Sequence, residues 1–175
     1  AQVQLLAQHL RSGIDLHDQP ILLSSPALRA RQTAESLAGS LDNVPVEFIY
    51  DLCEVHPGVA DGLTVEAYRS TYGAFDLVTS PTRPFTPGGE SWEQFLNRVQ
   101  AMLDRLAIQY AGRTVVAVTH AGFIVASFLV LFAIPRPGNG ARIDPKHTSI
   151  TEWHYFDHVW HLLRYNDLNH LGRLV

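Results

Sequence analysis

His120 directly follows the apolar run Thr114-Val115-Val116-Ala117-Val118-Thr119 and directly precedes Ala121-Gly122. That order puts an imidazole at a strand tip with a helix N-terminus behind it. Backbone N–H groups and the helix dipole favour an anion at such a point, so a sulfate or phosphate is the ligand expected there. A histidine that merely packs or caps is the commoner case, and it is the position that sets His120 apart. Arg29 falls in the first turn of a helix that also begins at a strand end. A cation there opposes the macrodipole by about 0.3–1 kcal/mol. A bound phosphate reverses that penalty, because guanidinium matches phosphate oxygens bidentately. Arg31, two positions on, better suits a surface role with its stem packed down. Glu54 follows a second strand, where a carboxylic acid can protonate a leaving alkoxide. On spacing alone Asp51 and Asp61 serve nearly as well.

The elements that must position these groups can be read from apolar spacing. Val3, Leu5, Leu6 and Leu10 recur at helical spacing, so the chain opens in or near a helix. Ile21-Leu22-Leu23 is a short continuous run that suits a buried parallel strand. Ser24-Ser25-Pro26 then reads as strand end, N-cap and first helical proline, and the helix continues through Arg29, Thr33, Ala34 and Leu37. Val46 to Tyr50 is a second strand. The segment from Pro57 to Pro87 is loop-rich, with a short helix over Val65 to Tyr72. Ser91 to Tyr110 is the strongest helix: Ser91 and Gln94 form a capping box, and Phe95, Val99, Met102, Leu103, Leu106 and Tyr110 make one apolar stripe. Gly112 ends it, and Thr114 to Thr119 is expected to be a buried strand. After Pro135 and Pro137 the pattern changes. Ser149 to Tyr165 is aromatic and β-branched, with Asp157-His158 as a turn, and reads as a β-hairpin.

Strands alternating with helices imply an α/β layered fold that binds ligands at the carboxyl ends of its strands. Arg29, Glu54 and His120 all lie just past strand ends, and that convergence is the main chemical signal. His154, His158 and His161 would share a face on a helix and suit zinc. Hairpin composition and the lack of a completing Cys or carboxylate argue against that site. Gly88-Gly89-Glu90 lacks the Gly-Lys-Ser/Thr ending of a phosphate-cradling loop.

Composition narrows the function classes. The chain has 175 residues, 46% of them hydrophobic, enough for one sizeable core. A net charge of −4 without a dense Lys/Arg tract argues against nucleic acid as a partner. The single cysteine, Cys53, cannot close an intrachain disulfide, which suits a reducing, cytoplasmic setting. The longest apolar run, Ala121 to Ile134, is about fourteen residues, short for a membrane span. No signal peptide is visible, although the abrupt start at Ala1-Gln2-Val3 is compatible with a removed leader.

Four stretches together resemble the histidine phosphatase superfamily, also called phosphoglycerate-mutase-like. They are Ser24-Ser25-Pro26-Ala27-Leu28-Arg29-Ala30-Arg31-Gln32-Thr33-Ala34, Leu52-Cys53-Glu54, Gly88-Gly89-Glu90-Ser91 and Thr119-His120-Ala121-Gly122. Weaker echoes are Thr148 to Trp153 and Asn166-Asp167 followed by His170-Leu171. They occur in the family's order across nearly the whole chain. The resemblance implies that His120 is the second histidine, holding the transferring phosphoryl group. It makes Arg29 the pocket arginine and Glu54 the proton donor to the leaving group. It also implies that no metal or other cofactor is needed, because histidines and arginines supply the stabilising charge. One departure matters: the Arg-His-Gly signature that carries the nucleophilic histidine on the first strand occurs nowhere in this sequence.

The expectation is one α/β domain over residues 1–175, a three-layer sandwich lacking its first strand. Its sheet is mainly parallel, with helices on both faces and a C-terminal antiparallel hairpin. The leading function is a phosphomonoester phosphatase acting on small phosphorylated molecules through a phosphohistidine. The segment His56 to Tyr72 looks more like phosphatase members than mutases. The alternatives are a phosphoglycerate-type mutase and an inactive homologue that binds phosphorylated ligands or a protein. An exposed aromatic hairpin with Trp153 and Trp160 makes a homodimer reasonable. Loop residues 56–87 are expected to line or cover the pocket mouth.

Overall fold

Leu22 and Leu23 are neighbours on one strand, Ile21–Ser24 (β1), and they enter two different cores. Successive strand side chains alternate faces, so a strand that is apolar at both positions must be covered twice. On one side Leu22 packs with Leu6 and Ala7 of helix Gln2–Gly13 (α1) and Leu37 of helix Leu28–Ser40 (α2). On the other, Leu23 packs with Phe95, Val99, Met102 and Leu103 of helix Trp92–Gln109 (α4), and with Phe123 and Ala126 of helix Ala121–Leu131 (α5). The result is a three-layer α/β sandwich. The remaining helix, Val65–Tyr72 (α3), sits in the loop-rich segment, where the Tyr68 hydroxyl donates to Phe85 O at 2.6 Å.

A computed structural model of the chain describes residues 2–13, 19–74, 80–134 and 142–174. Pro135, Pro137 and part of the loop-rich segment, 75–79, lie outside the described residues. The strands Val46–Phe48 (β2), β1 and Val115–Val118 (β3) form a parallel sheet in the order β2-β1-β3. Ile150–Phe156 (β4) and Val159–Asp167 (β5) form a separate antiparallel hairpin. Its two turn residues, Asp157 and His158, have φ of 49° and 62°, as a two-residue turn with matching twist requires. His154 and His161 face each other across this hairpin and His158 is in the turn, so the three do not share a helical face. Among the described residues no helix is long and apolar enough to cross a membrane.

Three expectations need correcting. α2 begins at Leu28, not at Pro26: its N-cap is Ala27, without a side-chain cap. Ser25 is taken up by other partners, described below. β3 is not a fully buried strand, because Ala117 is exposed and its neighbours are half-buried. The cause is topological: β3 pairs with β1 on one edge, and no described strand covers the other. Finally, Trp153 and Trp160 are not the exposed aromatics of the hairpin. The Trp153 ring lies 5.1 Å from Phe128 and 5.6 Å from Phe132, while Trp160 packs on the core beneath. Phe156, Tyr155 and Tyr165 are the exposed aromatics instead, Phe156 most of all.

Candidate functional site

The three parallel strands all run toward the same end of the sheet, and the chain leaves each one through a residue type that can do chemistry. Register fixes how close these exits are. Ser24 pairs with Phe48 on one side and Val118 on the other, so the three strands finish level. Past β1 the chain turns through Ser25 into α2, which carries Arg29 in its first turn. Past β2 a 3-10 turn, Tyr50–Leu52, delivers Cys53 and Glu54. Past β3 comes His120, the N-cap residue of α5. Thr119 Oγ1 donates to Leu52 O at 2.7 Å and ties the second exit to the third.

Arg29 and His120 meet directly, and Glu54 lies against the first turn of the helix that His120 caps. Arg29 Nη2 lies 2.8 Å from His120 Nδ1. His120 Nε2 lies 2.8 Å from Ser25 Oγ, which is fully buried and itself 3.2 Å from the Cys53 thiol. The Ala27 N–H donates to the same serine oxygen at 3.3 Å. Glu54 reaches the helix that His120 caps. Its Oε2 accepts from the Gly122 N–H at 3.0 Å, inside the first turn of α5, and its Oε1 accepts from Val55 N–H at 3.0 Å. The helix terminus expected to attract an anion thus receives the chain's own carboxylate, a favourable pairing with the helix dipole. Gly122 follows from that pairing, since a Cβ there would collide with Glu54 Oε1. Asp51 supplies only a backbone carbonyl to this region through Arg98, which leaves Glu54 as the carboxylate in contact with α5.

Burial holds the His120 imidazole below its ordinary pKa, and the Arg29 guanidinium pushes the same way. The Glu54 charge opposes them and Arg98 adds a smaller push downward. The ring is therefore poised neutral. That matches the geometry, in which an arginine donor points at Nδ1.

Arg98, on α4, gave no signal by its spacing, and yet it organises the segment that carries Glu54. All five of its N–H groups are used. Nε and Nη2 donate to the two Glu90 oxygens at 2.7 and 2.8 Å. Nη1 donates to Asp51 O at 2.8 Å and Cys53 O at 3.0 Å, and Nη2 to Glu54 O at 3.1 Å. Burial pushes the Glu90 carboxyl up, but Arg98 and the His56 N–H together hold it below the usual carboxylate range. Glu90 Oε2 also accepts the His56 N–H at 2.9 Å. The glycines before it act by contact: a Cβ on Gly89 would come within 2.9 Å of His56 O, and one on Gly58 (φ 65°) would strike the 87–89 backbone. They allow two loops to pack backbone to backbone, with Glu90 N–H donating to His56 O at 2.8 Å.

Known proteins place this arrangement. The chain matches the model of the Histidine phosphatase superfamily (branch 1) over residues 1–168. It is 28% identical over 160 residues, 89% of its length, to a metal-independent phosphoserine phosphatase of Arabidopsis thaliana. It is 29% identical over 152 residues, 85% of its length, to phosphoglycerate mutase-like protein 4 of the same plant. It spans 65% and 64% of the length of these two relatives. Among solved structures, YhfR of Bacillus stearothermophilus superposes with a TM-score of 0.80 at 22% identity, covering 97% of this chain and 83% of that one, a likeness of fold. A mycobacterial glucosyl-3-phosphoglycerate phosphatase gives a TM-score of 0.71 at 26% identity over 94% of this chain and 84% of its own. The family match spans nearly the whole chain and includes every strand exit described above, and the protein belongs to the histidine phosphatase superfamily.

Proposed function

We propose that this domain is a phosphomonoester phosphatase for small phosphorylated molecules, working through a phosphohistidine. The observation that carries the reading is the meeting of Arg29, His120 and Glu54 at the carboxyl ends of three adjacent strands. Arg29 and His120 hold the equatorial oxygens of the transferring phosphoryl group, and Glu54 gives a proton to the leaving oxygen. A nucleophilic imidazole attacks phosphorus while the bond to the leaving oxygen breaks, and the alcohol departs with the Glu54 proton. Water then attacks the phosphohistidine, releasing phosphate and returning a proton to Glu54. Positioning and charge do most of the work in phosphoryl transfer, and this constellation supplies both.

The nucleophile is the part that these residues do not provide, since in this reading Arg29 and His120 hold the phosphoryl oxygens and Glu54 carries the proton. The superfamily resemblance assigns the nucleophile's role to the histidine of an Arg-His-Gly segment, which this sequence does not contain. Relatives named for phosphoserine and for glucosyl-3-phosphoglycerate support a phosphatase acting on small phosphate esters. The lone, buried Cys53 fits a reducing cytoplasm.

The test is hydrolysis of a panel of phosphomonoesters by the 175-residue chain and by a version extended through Arg-His-Gly. The extended protein should release phosphate without added metal and accumulate an acid-labile phosphohistidine, while the chain from Ala1 should be nearly inert. Return of the phosphoryl group to substrate instead of water would make it a mutase. Full turnover by the 175-residue chain would overturn the phosphohistidine mechanism.

A further inference from the structure

A guanidinium has five donors and no acceptor, and it keeps its proton. Arg29 Nη2 at 2.8 Å from His120 Nδ1 therefore requires a lone pair on Nδ1. The imidazole is neutral and its proton is on Nε2, which donates to Ser25 Oγ at 2.8 Å. Ser25 Oγ also accepts from Ala27 N–H, so its own proton is left for the Cys53 sulfur at 3.2 Å. One arginine thus fixes every proton along the chain Arg29, His120, Ser25, Cys53. Both Ser25 and Cys53 are buried, which keeps water from scrambling that order.

This resting state is wrong for gripping a phosphoryl group. A phosphoryl dianion offers only acceptors, and Nδ1 offers a lone pair. For Arg29 and His120 both to hold the anion, Arg29 must turn from the ring to the phosphoryl oxygens, and Nδ1 must gain a proton. We propose that anion binding in this pocket is coupled to uptake of one proton by His120, with Ser25 as the positioning residue that holds the ring by Nε2. The proposal rests on the reading that Arg29 and His120 bind the phosphoryl group. The proton comes from solvent or buffer, and no covalent bond changes apart from N–H formation at Nδ1.

Burial and two of the three charged groups facing the ring act in the same direction, and the net push is toward the neutral form. Arg29 from α2 and Arg98 from α4 disfavour its charged form, and Glu54 from the loop after β2 favours it. The Cys53 thiol touches the ring only through Ser25. A bound dianion takes over the Arg29 charge and adds an attractive one, so the proton affinity of the ring rises. At high pH neither state is protonated, and at low pH both are. Uptake is therefore greatest between the two titrations and falls away on each side.

Calorimetric titration with inorganic sulfate tests this, because sulfate stays a dianion through the range where imidazole titrates. Repeating it in buffers of different ionisation enthalpy gives the protons exchanged. Approaching one proton per sulfate should be taken up near neutral pH, where an unperturbed imidazole of pKa about 6.5 is mostly deprotonated. His120→Gln should still bind sulfate, more weakly, with no uptake. Long-range nitrogen–proton NMR of the unaltered chain reads the same proton directly: the Nε2–H tautomer at rest, and a doubly protonated ring with sulfate. In Ser25→Ala the resting ring should become a mixture of tautomers. Sulfate binding without proton exchange, a ring that stays neutral when sulfate is bound, or uptake unchanged in His120→Gln each overturns the coupling and leaves the anion pocket standing. Failure of sulfate to bind overturns the pocket, and the coupling with it.

Discussion

Glu54 is held by both oxygens of its carboxylate, one on the first turn of α5 and one on its own following N–H. A glutamine there keeps an oxygen for Gly122 N–H but has no proton to give. Glu54→Gln in the version carrying Arg-His-Gly should therefore fold normally and lose about 10²–10⁴-fold in turnover of alkyl phosphates, the usual range for a lost general acid. With p-nitrophenyl phosphate the loss should be small, since that leaving group departs as a stable anion. Steady-state kinetics on the two substrates decides it, and equal losses would remove Glu54 as the acid. The placing of Arg29, Glu54 and His120 just past strand ends was legible in the sequence, whereas spacing alone did not separate Glu54 from Asp51 and Asp61. Ser25 was misread for a related reason. Ser-Pro after a strand has the signature of a helix cap, and only the folded neighbours show that its hydroxyl faces His120 and Cys53.

At the scale of elements, α4 shows what periodicity can and cannot reveal. Its apolar stripe and its Ser91–Gln94 capping box follow from spacing, and both are present as expected. Arg98 breaks no pattern on that helix, so nothing local marks it. Its importance comes from three carbonyls, of Asp51, Cys53 and Glu54, brought to it by β2 more than forty residues earlier in the chain. The Arg98 and Glu90 side chains are only 12% and 16% exposed, so removing one partner leaves a charge with little access to water. Arg98→Met should cost about 3–5 kcal/mol of stability, the range for breaking a buried ion pair. It should also displace Glu54. Denaturant unfolding measures the first, and adding Glu90→Gln should recover part of the loss, because the two sites share one interaction. A cost below about 1 kcal/mol would show a solvated pair instead of a clamp.

At the scale of the whole molecule, the described strands form two sheets, and β3 is an edge strand of the larger one. Among the described residues β3 pairs only with β1 and the hairpin only with itself, and Val116, Val118 and Ile150 pack against the same core. At the start of the hairpin Thr148 Oγ1, Ser149 Oγ, Thr151 Oγ1 and Trp153 Nε1 are buried without a hydrogen-bond partner among the described residues. A parallel strand alternates its hydrogen-bonding groups between its two neighbours. Thr114 O and Val118 O accept from Ile21 N–H and Ser25 N–H, so the even-numbered residues of β3 face β1. The N–H groups of Val115 and Ala117 then point away from β1, to the edge where a further parallel strand could pair. Hydrogen exchange read amide by amide can see this. In the 175-residue chain Val116 and Val118 should be protected while Val115 and Ala117 exchange freely, because an unpaired edge leaves its N–H groups to water. In the extended, active version all four should be protected. Protection of Val115 and Ala117 already in the shorter chain would mean that another segment covers the edge. Free exchange there in an active extended protein would place the nucleophile's strand elsewhere, and with it the line of attack on phosphorus.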